Sequence, residues 1–219
     1  MNHSNADAVD LMMMARCIAL SRQAVDEGEY PFACVIAKDD QIIVEATNRV
    51  AREGDITRHA ELLAVSEAQR KLGSKKLKGC TLYTTVEPCP MCSFPIREAR
   101  ISRVVYAIRS PLMGGHSRWN VLEDGVLSAK MPEAFGAPPK VLTGVLRREA
   151  EKVWWRMNPL IWGVIRLRGV FGGHDPAASP PEHAPQVATT EQHSAFDALG
   201  NKDRIVDPAG SAERRGARQ

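Results

Sequence analysis

The sequence has no long apolar run and only five cysteines in 219 residues. None of its hydrophobic stretches reaches the ~18 residues that a membrane-spanning helix requires, and residues 1–10 lack the apolar core of a signal peptide. So few cysteines suit a reducing compartment better than a secreted disulfide framework. We therefore expect a cytoplasmic protein that has no membrane segment.

Length and composition predict one globular domain followed by a tail. The chain is 44% hydrophobic, which is ordinary for a domain with a sizeable core. After Gly172 the composition changes to Pro, Ala, Gly, Ser and charged residues, which bury too little apolar surface to offset the entropy of ordering. We therefore expect a folded domain over residues 1–172 and a disordered tail over residues 173–219.

Two short motifs together provide three zinc-type ligands and one free carboxylate. His59 and Glu61 are separated by one residue, and Cys89 and Cys92 belong to a Pro-Cys-x-x-Cys motif. A structural zinc site fills all four tetrahedral positions with protein ligands, whereas a hydrolytic site keeps one for water and lowers the pKa of that water to about 7. The set predicts a Zn²⁺ site held by His59, Cys89 and Cys92. Glu61 is then the catalytic proton carrier.

Other interpretations of the cysteine pair account for less of the sequence. A Cys-x-x-Cys pair by itself also suits a redox pair, half of a zinc ribbon or plain helix packing. A redox pair does not require His59 or Glu61. A ribbon requires a second ligand pair, for which Cys17, Cys34 and Cys80 have the wrong spacing. We expect these three cysteines to be buried as small apolar residues.

Both motifs are predicted to lie where a helix begins. Apolar residues recur with helical spacing after His59, so that His59 opens a helix. In the first turn, His59 and Glu61 can approach one metal because side chains lean toward the helix N-terminus. A helix beginning near Cys89 brings the sulfurs of Cys89 and Cys92 onto one face. Two helix N-termini then face the zinc, and their positive ends together with the metal charge lower the pKa of both thiols.

The remaining periodicity predicts alternating helices and strands. Helices are expected over residues 7–27, 59–72, from 89 onward and 146–157. Strands are expected over residues 32–38, 42–47, 81–85, 103–107 and 140–144. This alternation favours an α/β fold, a three-layer α/β/α sandwich with a mixed sheet of about five strands.

The pattern weakens between residues 108 and 139, where glycine and proline interrupt it. A segment of this length inside a compact domain is often a lid or a binding loop. Residues 115–120 are therefore a candidate cover for the pocket, with His116 and Trp119 as candidate substrate-binding residues. The alternative is simple surface packing.

The motifs and their neighbours resemble one known family. Residues 30–33, 47–49, 55–61, 81–92 (TLYTTVEPCPMC) and 103–107 are similar to the cytidine deaminase superfamily, in the branch of bacterial guanine deaminases and tRNA adenosine deaminases. The resemblance extends from about residue 8 to about residue 157. It implies a cytidine deaminase-like fold, zinc-dependent hydrolytic deamination, a dimer, and Asn48 as the amide that contacts the bound base or sugar.

Hydrolytic deamination replaces a ring amine by a carbonyl and releases ammonia. Activated water attacks the carbon that bears the amine, while Glu61 carries protons to the adjacent ring nitrogen and to the departing ammonia. Because that carbon becomes tetrahedral, the ring must be held edge-on to the metal between apolar walls. Phe32 and Phe94 are the candidates for these walls.

The sequence favours a free nucleobase or nucleoside, foremost a guanine-type purine. Tyr30-Pro31-Phe32 is closer to the guanine deaminase pattern, and Phe94 is bulky where tRNA adenosine deaminases usually have small residues. The alternative is tRNA adenosine editing, for which the net charge of +3 and the basic runs at 75–78, 147–148 and 166–168 could contact phosphates. A cytosine-type substrate stays open, and a non-catalytic zinc module would have no use for Glu61.

The C-terminal part of the domain predicts a homodimer. Trp154 and Trp155 are adjacent, so that they cannot share one face of a helix. Apolar residues at 160–162 and 164–165 follow. One small domain is not expected to bury this whole stretch, and part of it is left for a partner.

Overall fold

The structure is a computed structural model and describes residues 6–172. The predicted tail at 173–219 lies outside the described residues. The helices are α1 (Ala8–Asp26), α2 (Val50–Glu53), α3 (Ala60–Leu72), α4 (Pro90–Glu98), α5 (Gly125–Lys130), α6 (Arg147–Met157) and α7 (Pro159–Leu167). The strands are β1 (Ala33–Lys38), β2 (Gln41–Thr47), β3 (Cys80–Val86), β4 (Arg103–Ile108) and β5 (Lys140–Thr143).

The five strands form one mixed sheet in the order β2-β1-β3-β4-β5. β1 pairs antiparallel with β2 and with β3, whereas β3, β4 and β5 run parallel. The β1–β2 hairpin turns at Asp39 and Asp40, whose positive φ angles of 49° and 59° match the right-handed twist of the flanking strands. Because β3 and β4 are parallel neighbours, the segments that follow them start at the same sheet edge.

Helices cover both faces of the sheet. α1 and α6 pack on the face that carries Val35 and Tyr83. α3 and α4 pack on the opposite face, which carries Ile36 and Leu82. Val35 and Ile36 are neighbours in β1 and belong to different layers, as the pleat of a strand requires. The predicted three-layer α/β/α sandwich with a mixed five-stranded sheet is confirmed.

A buried ion pair joins α1 to β4. Asp10 is 0% exposed and accepts hydrogen bonds from Arg103 Nη1, from Arg103 Nη2 at 2.6 Å and from Tyr83 Oη at 3.0 Å. Burial acts to raise the pKa of Asp10, but these hydrogen bonds and the charge of Arg103 outweigh it and hold the pKa below its usual value. The pair therefore ties the first helix to the sheet.

Every helix and strand predicted from periodicity is present. The helix α7 was not predicted. Its signal was Asn158 followed by Pro159, because Asn158 Oδ1 accepts from the backbone N–H groups of Leu160 and Ile161 at 3.0 and 3.1 Å and proline fits the first helical position. The short helices α2 and α5 were also missed. No helix within residues 6–172 has both the length and the apolar content that crossing a membrane requires.

Candidate metal centre and active site

The two motifs lie at the first residues of α3 and α4. His59 and Cys89 are N-caps with extended backbones, at φ −67°, ψ 143° and φ −69°, ψ 169°. Each side chain therefore leaves the chain just before its helix begins. Pro90 occupies the first position of α4, where its missing N–H has no intrahelical partner to lose. The prediction that both motifs open helices is confirmed.

Three side chains converge with the spacing of zinc ligands. Cys89 Sγ lies 3.6 Å from Cys92 Sγ, and His59 Nδ1 lies 3.6 Å from Cys89 Sγ and 3.4 Å from Cys92 Sγ. Tetrahedral zinc with bonds of about 2.3 Å to sulfur and about 2.0 Å to nitrogen separates two sulfurs by about 3.8 Å and sulfur from nitrogen by about 3.5 Å. These residues form a potential metal site, and its donor set and distances fit zinc.

The electrostatics of the two sulfurs also favour a cation. A hydrogen bond from the Cys92 thiol lowers the pKa of Cys89 to about 4, and His59 contributes in the same direction. The same contact, together with burial, raises the pKa of Cys92. The sulfurs thus share one proton. A divalent cation in the place of that proton would compensate two thiolates at once.

Glu61 lies beside this cluster and is 5% exposed. Its Oε1 accepts a hydrogen bond from Thr84 Oγ1 at 3.1 Å, and its Oε2 lies 3.7 Å from Cys92 Sγ. Burial raises the pKa of Glu61, and the negative charge of Cys89 raises it further. Glu61 is therefore a carboxyl group that can hold a proton next to the three ligands. Its catalytic role stays a prediction.

A small pocket of about 60 Å³ opens over the cluster. It is lined by Phe32, Asn48, His59, Glu61, Val86, Glu87, Cys89, Ser110, Met113 and Phe171. The structure thus places Phe32 and Asn48, which the sequence predicted as substrate-binding residues, beside the metal cluster. Their contact with a substrate stays a prediction.

Phe94 does not line the pocket of the single chain, and its contact with a substrate stays a prediction. It lies two residues after Cys92 in α4, which is about 200° around a helix of 3.6 residues per turn. Because Cys92 faces the cluster, Phe94 points away from it. Its ring is 43% exposed and lies 6.0 Å from that of Phe135.

His116 and Trp119 also lie outside the pocket lining of the single chain, and their role in substrate binding stays a prediction. The His116 ring is held by Tyr106, with Nδ1 2.8 Å from Tyr106 Oη, and by Glu123, 3.3 Å from Nε2. Trp119 is 59% exposed, and the guanidinium of Arg118 lies 5.7 Å from its ring centroid. The segment after β4 does reach the pocket, but through its first residues, Ser110 and Met113.

Glu87 holds that segment in place, although it was not among the residues predicted from the sequence. The buried carboxylate accepts from the backbone N–H groups of Ser110, His116 and Ser117 at 2.8, 3.0 and 2.6 Å, and from Ser117 Oγ at 2.8 Å. A Cβ at Gly114 would collide with this carboxylate. The Gly114-Gly115 pair was the available signal, since glycine pairs often mark a close approach of the backbone.

Phe171 forms another wall of the pocket, and it too was not predicted from the sequence. The hydrogen bonds from Ser110 Oγ to Val170 O and from Gly172 N to Arg109 O, both 3.0 Å, fix the chain after α7 against the segment after β4. The ring of Phe171 meets that of Phe32 edge to face, with centroids 6.0 Å apart. No local pattern in the sequence marks this residue, because its neighbours come from distant parts of the chain.

Comparisons with known proteins agree with this geometry. Residues 8–108 match the family model for the cytidine and deoxycytidylate deaminase zinc-binding region. The chain is 39% identical over 112 residues to the tRNA-specific adenosine deaminase of Aquifex aeolicus, which covers 51% of this chain and 74% of that protein. It is 43% identical over 95 residues to the guanine deaminase of Bacillus subtilis, which covers 43% of this chain and 61% of that protein. The solved structure of guanine deaminase from Nitrosomonas europaea is similar with a TM-score of 0.57 and 28% identity, over 70% of this chain and 86% of that chain.

Proposed function

Because this chain belongs to the cytidine deaminase superfamily of zinc-binding deaminases, we propose that it deaminates a free purine base, with guanine as the leading substrate. The reaction consumes water, replaces the ring amine by a carbonyl and releases ammonia. Relatives that act on guanine and relatives that act on tRNA are both similar to it. The choice between them therefore depends on the pocket.

The residues of the site divide the chemistry among them. His59, Cys89 and Cys92 would hold the metal, and zinc, when bound, supplies a Lewis acid that lowers the pKa of water to about 7. Glu61 accepts a proton from that water and passes it to the ring nitrogen beside the amine-bearing carbon. It then transfers the second proton of the water to the amine as the carbon–nitrogen bond breaks. Oxygen is thus bonded to carbon, ammonia leaves, and Glu61 returns to its starting state.

The observation that supports a free base is the composition of the pocket wall. Among the described residues that line it, none is lysine or arginine, and Phe32 and Phe171 provide apolar faces. Such walls suit an uncharged flat ring. A phosphate group would find no lysine or arginine within the lining to compensate its charge.

The second candidate is tRNA adenosine editing. It is supported by the 39% identity to the Aquifex aeolicus enzyme and by the net charge of +3. In the predicted basic rim, Arg147 donates to Glu151 at 2.8 Å, which offsets part of its charge. A tRNA would have to compete with that contact for the guanidinium.

Ammonia release from a panel of amines tests the proposal. The panel contains guanine, adenine, adenosine, cytosine, cytidine and a tRNA anticodon stem-loop, each at 50 and 200 mM salt. We expect turnover of guanine that changes little with salt, because the base carries no phosphate. Deamination of the stem-loop that weakens ~10³-fold over this range, as six phosphate contacts predict, would overturn it. Arg147→Ala should weaken only the stem-loop reaction, whereas Glu61→Ala should abolish every activity.

We also propose that the protein is a homodimer. Trp154 is buried, whereas Trp155 is 58% exposed. Leu160, Val164 and Leu167 are exposed as well and lie at helical spacing along α7, which leaves an apolar stripe uncovered in the single chain. Light scattering at micromolar concentration should report twice the monomer mass. A monomer mass would contradict this part of the proposal.

A further inference from the structure

Asn48, which lines the pocket, forms a hydrogen bond with a second buried side chain, that of Glu29. Glu29 is 3% exposed, and its Oε2 accepts from Asn48 Nδ2 at 2.9 Å and from the backbone N–H of Ala51 at 3.3 Å. Its Oε1 accepts from the backbone N–H of Arg52 at 2.7 Å. Both oxygens of Glu29 are thus engaged as acceptors, one of them by the pocket amide.

This contact decides which end of the Asn48 amide faces Glu29. A carboxylate that receives N–H groups at both oxygens has no proton to donate, so Asn48 can meet it only with Nδ2. A reversed amide would place Oδ1 of Asn48 against Oε2 of Glu29, which loses a buried hydrogen bond and adds repulsion between two oxygens. The chemistry of Glu29 therefore sets an orientation that Asn48 alone would leave open.

The other end of the amide is left for the ligand. Within residues 6–172, Oδ1 of Asn48 accepts from no protein group. The residue is 3% exposed and lines the pocket. The partner of this oxygen is therefore the molecule that occupies the pocket.

We infer that Glu29 is a positioning residue that selects the substrate: it holds Asn48 so that Oδ1 accepts from a ring N–H of the base. The inference rests on the proposed function, because it takes a base as the occupant. Guanine carries an N–H group on each of its two rings, whereas the adenine ring of a nucleoside carries none. An acceptor fixed at this position therefore favours a base with a ring N–H, such as guanine, over the adenine ring of a nucleoside.

Exchanging the chemical groups at the two positions tests the inference. In Glu29→Gln, the remaining oxygen should keep the bond from the Arg52 N–H, which at 2.7 Å is shorter than the 3.3 Å bond from Ala51. The NH₂ group then takes the place of Oε2, where Asn48 meets it with Oδ1, so that the amide turns and presents Nδ2 to the pocket. The double variant Glu29→Gln/Asn48→Asp restores an acceptor. One oxygen of the new carboxylate at position 48 accepts from the new amide at position 29, and the other faces the pocket.

Guanine binding is measured by calorimetry on the zinc-loaded full chain in a Glu61→Ala background, which blocks turnover. KM and kcat are measured with Glu61 present. We expect Glu29→Gln to raise Kd and KM by about tenfold or more, the value of one hydrogen bond. The change in kcat should be smaller, because the metal ligands and Glu61 are untouched. The double variant should return Kd to within about threefold of the starting value, at equal zinc content and thermal midpoint.

If Glu29 had only a structural role, adding Asn48→Asp to Glu29→Gln would not restore guanine binding. A Kd for guanine unchanged by Glu29→Gln overturns the inference. So does a double variant that binds no better than Glu29→Gln.

A ligand series tests the same contact without a change at Glu29. In 1-methylguanine and 9-methylguanine, the N–H of one ring is removed in turn. One of the two should bind about tenfold or more weakly than guanine, and this preference should shrink in Glu29→Gln. Equal binding of all three bases overturns the inference.

The proposed function fails separately. If the unaltered enzyme releases ammonia from adenine or cytosine but not from guanine, the guanine assignment is wrong. Both of these bases also carry a ring N–H. The Kd values of Glu29→Gln and of the double variant are then compared for the base that reacts, and this comparison decides the role of Glu29.

Discussion

Replacing Glu87 by glutamine tests whether the segment after β4 is held in place by one carboxylate. The four hydrogen bonds to Glu87 divide evenly. Oε1 receives the N–H groups of His116 and Ser117, and Oε2 receives the N–H of Ser110 and the hydroxyl of Ser117. Glutamine keeps one acceptor oxygen, and its NH₂ group fits best at the position of Oε2. There the hydroxyl of Ser117 can turn to accept from the NH₂ group while it donates to Ser110 O, 3.1 Å away. The bond from the N–H of Ser110 is lost, because that N–H then faces another donor.

The expected cost follows from this count. A hydrogen bond to a charged group contributes about 1.5–3 kcal/mol, so the lost bond lowers the stability of the closed segment by about that amount. Exposed loops open at a lower free energy than the core unfolds. Glu87→Gln should therefore release residues 110–117 and remove Ser110 and Met113 from the pocket wall while the sheet stays folded.

The assay combines hydrogen exchange with kinetics. Amides of residues 110–117 should exchange faster in Glu87→Gln, and KM for the base should rise about 10- to 100-fold, the equivalent of 1.4–2.7 kcal/mol. Zinc content should not change, because the ligands lie at helix starts on other segments. Glu98→Gln, an exposed exchange of the same type on α4, is the matched control. Unchanged exchange and unchanged KM in Glu87→Gln would refute the reasoning.

Three further predictions concern the metal, the wall and the core. Cys92→Ala should lose zinc and activity together, whereas Glu61→Ala should keep one zinc per chain and lose nearly all turnover. Metal analysis and an ammonia-release assay measure the two properties. A Cys92→Ala variant that kept both zinc and activity would contradict the assignment. Phe171→Ala should raise KM severalfold with zinc content unchanged, since it removes an apolar face of the pocket; an unchanged KM would show that this ring does not contact the substrate. Asp10→Asn should lower the free energy of unfolding by about 3 kcal/mol at pH 7, because it leaves Arg103 unpaired against the core. Since the pKa of Asp10 is lowered by folding, that contribution is complete above the unfolded pKa of about 3.9 and is lost as pH falls through the lower folded value. Denaturant titrations should show the two proteins converging below about pH 4, and a gap that widens there would contradict the sign.

Sequence by itself determined the metal cluster and the fold class, because both depend on local geometry. The metal cluster forms where two helices begin, because His59 and Cys89 are their N-caps and Cys92 lies in the first turn of the second helix. Local sequence patterns predict both helix starts. Short strand-like runs bounded by turn residues likewise marked the sheet, and its central strands are buried almost throughout because helices cover both faces.

Only the tertiary structure decided the composition of the pocket. Glu87, Ser110 and Phe171 lie on three segments that are far apart in the chain, and they meet because β3 and β4 are parallel neighbours and the chain after α7 returns to the same sheet edge. Phe94 lies close in sequence to the metal ligands but faces away from them, since two residues along a helix turn a side chain to its far side. Local pattern thus identified the residues of the metal cluster, whereas the walls of the pocket beside them depended on long-range packing.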